Sequence, residues 1–165
     1  MSYPVTRTIT SIISGTFVLI MYLLHVISRY RAGILAMDEY QSWAQIMLIF
    51  IGIGIAVAIV TEIVFHILFS IGVAVRESIQ RDTCNEKDIE KAIKQDMVED
   101  EMAKIIDLKS MRVGYITAGS GFVASLIFLV LDYPVSIMIN ILFVSFLVAA
   151  IIEALTRLYY YKKGI

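Results

Sequence analysis

Glu62 and His66 stand four residues apart in Thr61-Glu62-Ile63-Val64-Phe65-His66, and Glu153 and Arg157 repeat that spacing near the end of the chain. On a helix, residues four apart share a face, so each pair is set up for ion pairing, proton exchange or cation ligation. Arg112 and Tyr115 open a further apolar run. Carboxylates and imidazole supply titratable groups and metal ligands. Charge within an apolar span is costly enough to count as a functional hypothesis. One reading makes Glu62, His66 and Glu153 a cation or proton site. The other is a ring of ion pairs, Glu62 with His66 or Arg112 and Glu153 with Arg157, whose long side chains reach water and set helix depth. The second is preferred, because the elements that carry these six residues place them all near one boundary and none at mid-bilayer.

Those elements are four apolar runs. The 165-residue chain is 59% hydrophobic and 18% charged, against about 45–50% and about 25% for ordinary globular proteins, and its mean hydropathy is +0.80. Residues 8–28 carry no charge apart from a protonated His25 and, at about 1.5 Å per residue, reach far enough to cross the hydrocarbon. The run from Trp43 to Val75 is too long for one crossing and too short for two. It predicts one tilted helix, a span over 43–66 with an extension to about residue 80. Trp43 and Tyr40 suit the outer headgroup layer. The third and fourth spans are expected over 113–131 and 135–156, joined by Asp132-Tyr133-Pro134. Pro134 lacks a backbone donor and fits the first turn of a helix, so this is a tight helical hairpin. No period-two alternation supports strands. The expected fold is all-α: a single polytopic membrane domain over residues 1–165, with four transmembrane helices.

Orientation follows from the basic residues. With both termini on one side, twelve of the fourteen Lys and Arg fall on that side, and the positive-inside rule then places both termini in the cytosol. The connector over residues 76–112 carries eight basic and ten acidic residues. Ile89, Ile93, Met97, Met102, Ile105 and Ile106 recur at roughly helical spacing, which predicts an amphipathic helix running into the third span. Packing of that stripe on the protein's own bundle is preferred. The functional alternative is that Asp96, Glu99, Asp100 and Glu101 dock a cytosolic protein.

Much chemistry is excluded. A net charge of -1 argues against nucleic acid, which needs a basic excess. The lone cysteine, Cys84, forbids an intrachain disulfide and the cysteine pairs of a thiol oxidoreductase; a plain thiol is expected. Gly52-x-Gly54 has no following glycine at dinucleotide-fold spacing and reads as helix packing. The same holds for Ala56 and for Gly114, Ala118, Gly119 and Gly121. Asn140 and His25 are expected to bond between helices. There is no Ser/His or Asp/Asp pair at depth, so no enzyme and no cofactor is expected.

The stretch Glu99-Asp100-Glu101, followed by Ile105-Ile106-Asp107-Leu108-Lys109-Ser110-Met111-Arg112-Val113-Gly114-Tyr115, resembles the D-E-R-x-x-x-I-x-x-K-x-x-R-x-x-Y signature of a group of uncharacterised bacterial four-span membrane proteins. Thr61 to His66 and the tail from Glu153 to Lys163 are similar to the same group, and Met102 stands where the pattern has Arg. The resemblance implies a bacterial cytoplasmic membrane and, since such proteins sit beside small helix-turn-helix regulators, a regulatory or accessory role. The expected function is a non-enzymatic module acting through its cytosolic face, with the lipid bilayer, a cytosolic protein and further copies of itself as partners. The alternative is a small oligomeric transporter using Glu62, His66 and Glu153.

Overall fold

The computed structural model describes residues 3–80 and 101–163. The expected partner residues Asp96, Glu99 and Asp100, the connector positions Ile89, Ile93 and Met97, and Cys84 lie outside the described residues. Four helices carry the described chain: α1 (Tyr3–Arg31), α2 (Tyr40–Gln80), α3 (Glu101–Val130) and α4 (Val135–Lys163). All four are long and apolar enough to cross a membrane. Their outward faces are large apolar side chains, among them Ile13, Phe17, Leu48, Ile59 and Ile116. In water such a surface would drive aggregation; in lipid it is the expected exterior. The chain is a multi-pass membrane protein built as a four-helix bundle.

Two hairpins turn the chain by one device. Gly33 sits at φ 67° after α1. Its amide donates to the Tyr30 carbonyl and that of Ile34 to the Arg29 carbonyl, 3.1 Å each. These two bonds define a Schellman cap, which satisfies carbonyls that the helix end leaves open. Asp132 does the same after α3 at φ 59°, with Asp132 N to Leu129 O and Tyr133 N to Phe128 O both at 3.2 Å. The apolar contact that accompanies such caps is the Phe128–Tyr133 ring pair, with centroids 5.2 Å apart. Pro134 follows and immediately precedes α4, its carbonyl accepting from the Ile137 amide at 2.9 Å.

Helix α2 continues unbroken for 41 residues, about 60 Å at about 1.5 Å per residue, or about twice the hydrocarbon thickness. Helix α3 is likewise already helical at Glu101, well before its apolar stretch.

Packing is uneven. Helix α3 lies along α4, α4 along α1, and α1 along α2, whereas α3 makes no comparable contact with α1 or α2. The α3–α4 seam is built from small residues: Ala103, Ser110, Gly114 and Ser125 are buried on α3, and Ala149 and Ala154 on α4. Small side chains let backbones approach, and dispersion contacts then hold the pair without any hydrophobic drive from lipid. Gly121 belongs to this seam, since a Cβ there would collide with Ser145. Gly52 and Gly119 do not: nothing lies within 4 Å of either, and both face outward with Ala56.

The main apolar core sits at the end opposite the termini. Tyr22, Leu35, Trp43, Ile46, Met47 and Phe50 form it. Trp43, in the first turn of α2, is packed against the protein, only 3% exposed, and donates from Nε1 to the Ala36 carbonyl of the 32–39 turn at 2.9 Å, so the indole finds both apolar cover and a hydrogen bond. Tyr40 stays exposed. Asn140 ties α4 to α1 by accepting from Tyr22 Oη at 2.6 Å, while its Nδ2 donates to the Ser136 carbonyl at 2.7 Å. His25 rests its ring against Phe50, centroids 5.6 Å apart.

Candidate ion-pair clusters at the terminal end

Four antiparallel crossings bring the start of α1, the far part of α2, the start of α3 and the close of α4 to one end of the bundle. Glu62, His66, Glu153 and Arg157 collect there, in two clusters.

The first joins α1 to α2. Arg7 Nη2 forms an ion pair with Glu62 Oε1, and His66 Nε2 stands 3.7 Å from the same oxygen. The Glu62–His66 contact follows from i,i+4 spacing on one helix face. The Arg7 contact comes from the α1–α2 packing that puts the two at one depth. Phe65 is buried beside them. A groove of about 100 Å³ runs alongside, lined in part by Arg7, Ser11, Thr61 and Glu62.

The second joins α3 to α4. Arg157 Nη2 donates to Glu153 Oε1 at 3.0 Å, and Arg157 Nε lies 2.8 Å from Asp107 Oδ1. That second contact is an ion pair at close range but off the hydrogen-bond axis, since neither atom has an aligned hydrogen-bond partner. One guanidinium thus serves two carboxylates, a role that suits its planar fork of donors. Gly114 makes room for Glu153, since a Cβ there would stand 2.8 Å from Glu153 Oε2 and 3.1 Å from Glu153 Cβ. Beyond this cluster Lys109 Nζ lies over the Tyr160 ring and Lys163 Nζ over the Tyr159 ring, each 5.6 Å from the centroid. Both distances suit cation–π attraction.

Of the six residues singled out in the sequence, the structure pairs Glu62 with His66 and Glu153 with Arg157. It does not pair Glu62 with Arg112. Arg112 is exposed and joins no ion pair among the described residues, because α3 does not pack on α2. Tyr115 is 73% exposed, on the outer surface of α3. Arg7 and Asp107 were not among the six, yet each completes a cluster. A depth argument could have found them, since a span-edge charge has only the opposite charges of its own layer to choose from. Among the described residues no three His, Cys, Asp or Glu side chains gather as a metal would require.

These features define a class, a multi-pass helical membrane protein with paired charges at one end. No protein-family model, curated protein or solved structure matches the chain.

Proposed function

We propose that this protein is a non-enzymatic membrane module of regulatory or accessory type, resident in a bacterial cytoplasmic membrane and acting through its cytosolic face. The observation that supports this reading is the pairing of the ionisable residues. Arg7 meets Glu62 across α1 and α2, and Arg157 meets Asp107 across α3 and α4 as well as Glu153 on its own helix, all at one end of the bundle. Such pairs offset the cost of charge at a membrane boundary and fix helix depth. The positive-inside rule supports a cytosolic location for both termini and so for this end.

The surface offered to a partner is the first part of α3, where Glu101, Met102, Ile105 and Leu108 are exposed while Ile106 faces inward and is buried. Photo-crosslinkers at Ile105 and Leu108 in cells are expected to capture one and the same cytosolic protein, and Met102→Asp should abolish that capture. Absence of a specific adduct from both positions would overturn the proposal.

The second reading, an oligomeric transporter using Glu62, His66 and Glu153, draws support from the groove beside Glu62. Substrate-dependent uptake into vesicles separates the two.

A further inference from the structure

The groove beside Glu62 does not stop at the ion pair. A second groove of about 250 Å³ continues from it. The two share Ser11, Ser14 and Ala58, so they form one passage, entered past Arg7 and Glu62 and running along α1 toward mid-span. Gly15 on α1 and Gly54 on α2 widen its inner part, and α4 closes one side with Leu147, Ala150 and Ile151.

The passage ends at a plug drawn from three helices. Val18, Gly54 and Leu147 line the inner groove, and one turn further along each of their helices stands an aromatic residue: Tyr22 on α1, Phe50 on α2 and Phe143 on α4. The rings meet, with Tyr22 and Phe50 centroids 5.2 Å apart and Tyr22 and Phe143 4.6 Å apart. Tyr22 is held in place by its bond to Asn140.

The lining decides what fills the passage. Ser14 Oγ donates to the Ser11 carbonyl at 3.1 Å, which leaves its oxygen free to accept. The Ser11 hydroxyl has no bonding partner among the described residues, and Ser11 is exposed. An acyl chain in the groove would leave the Ser11 hydroxyl and the edge of the Arg7–Glu62 pair against hydrocarbon, at a cost per unsatisfied polar group that lipid cannot return. Water satisfies all of them. We propose that α1, α2 and α4 border an aqueous vestibule that admits water and small hydrophilic solutes from the end bearing both termini and is sealed toward the opposite end by Tyr22, Phe50 and Phe143. The inference stands apart from the regulatory reading, since a sealed vestibule is compatible with a protein that moves nothing across the membrane.

The test is thiol accessibility in the full-length protein in nanodiscs, where both faces are open, on a Cys84→Ser background. The probe is a charged, membrane-impermeant methanethiosulfonate. Only the thiolate reacts, and a thiol in apolar surroundings stays protonated. Ser11→Cys and Ser14→Cys are therefore expected to react at least about tenfold faster than their lipid-facing neighbours Ile13→Cys and Phe17→Cys, a thiolate ratio that one unit of pKa difference supplies. Adding Gly54→Leu to Ser14→Cys should slow its labelling, whereas Gly52→Leu, on the outward face, should not. Serine-to-cysteine changes are near-isosteric, so folding is retained. Equal rates at Ser14→Cys and Phe17→Cys would mean that the groove holds lipid and would overturn the proposal. So would labelling at Ser14→Cys that Gly54→Leu leaves unchanged.

Discussion

Glu153 occupies the space that a side chain at position 114 would need. A Cβ on Gly114 would meet its carboxylate oxygen at 2.8 Å and its own Cβ at 3.1 Å. The close approach of α3 to α4 and the ion pair between Glu153 and Arg157 are therefore one feature, because the backbone contact that admits the carboxylate also aims it at the guanidinium.

Gly114→Ala should destabilise the bundle by about 1–3 kcal/mol, the range for overfilling a well-packed contact, and loosen the Glu153–Arg157 pair. Gly52→Ala and Gly119→Ala, with nothing within 4 Å, should be neutral or stabilising by about 0.5–1 kcal/mol through the lower backbone entropy of alanine in a helix. Reversible unfolding in mixed detergent micelles gives the ranking; an equal loss at all three positions would be inconsistent with the α3–α4 seam described.

Arg157→Met leaves Asp107 and Glu153 facing each other without their shared cation. Their side chains are only 35% and 27% exposed, so the cost falls between the values for exposed and buried pairs, about 1–3 kcal/mol. Adding Asp107→Asn and Glu153→Gln should recover most of the loss, because the damage lies in the stranded charges. Failure of that rescue would assign Arg157 a role other than neutralising them.

The Tyr22–Asn140 bond joins α1 to α4 within the span. A double-mutant cycle with Tyr22→Phe and Asn140→Ala should give a coupling of about 0.6 kcal/mol and no more than about 1.7 kcal/mol, as for hydrogen bonds between membrane helices. Zero coupling would show that the two groups satisfy themselves elsewhere.

Asp132 holds a left-handed conformation at φ 59°, which costs most side chains about 1–2 kcal/mol and glycine nothing. Asp132→Gly should therefore raise stability slightly, and Asp132→Val should lower it by about that cost. An unaffected Asp132→Val would indicate that the α3–α4 turn tolerates another backbone.

The number and kind of elements were legible in the sequence because hydropathy and length alone decide whether a helix can cross a bilayer. Within one helix, contacts were legible too: Glu153 and Arg157 meet because i,i+4 spacing leaves little choice. Between helices they were not. Whether Glu62 meets Arg7 or Arg112 depends on which helices neighbour each other and how each is rotated, and four apolar helices read alike on that point. Glu62 pairs with Arg7 because α2 packs on α1 and not on α3. The partner of Trp43 was not legible for a similar reason. Its amphipathic ring suits a headgroup layer, and only the path of the 32–39 turn shows that the Ala36 carbonyl receives its hydrogen bond. The plug of Tyr22, Phe50 and Phe143 escaped notice because its members are spread over three helices and show no spacing pattern.

The anchoring role of the two ion-pair clusters is tested most directly by ion movement. Purified protein, Glu62→Gln and Glu153→Gln are reconstituted into liposomes carrying a pH-sensitive dye, and proton and monovalent-cation flux is measured under an imposed gradient. The expected result is flux no greater than in protein-free liposomes for all three, with lower unfolding stability for both variants. A flux in the parent that either substitution abolishes would contradict the account and make Glu62 or Glu153 part of a transport path.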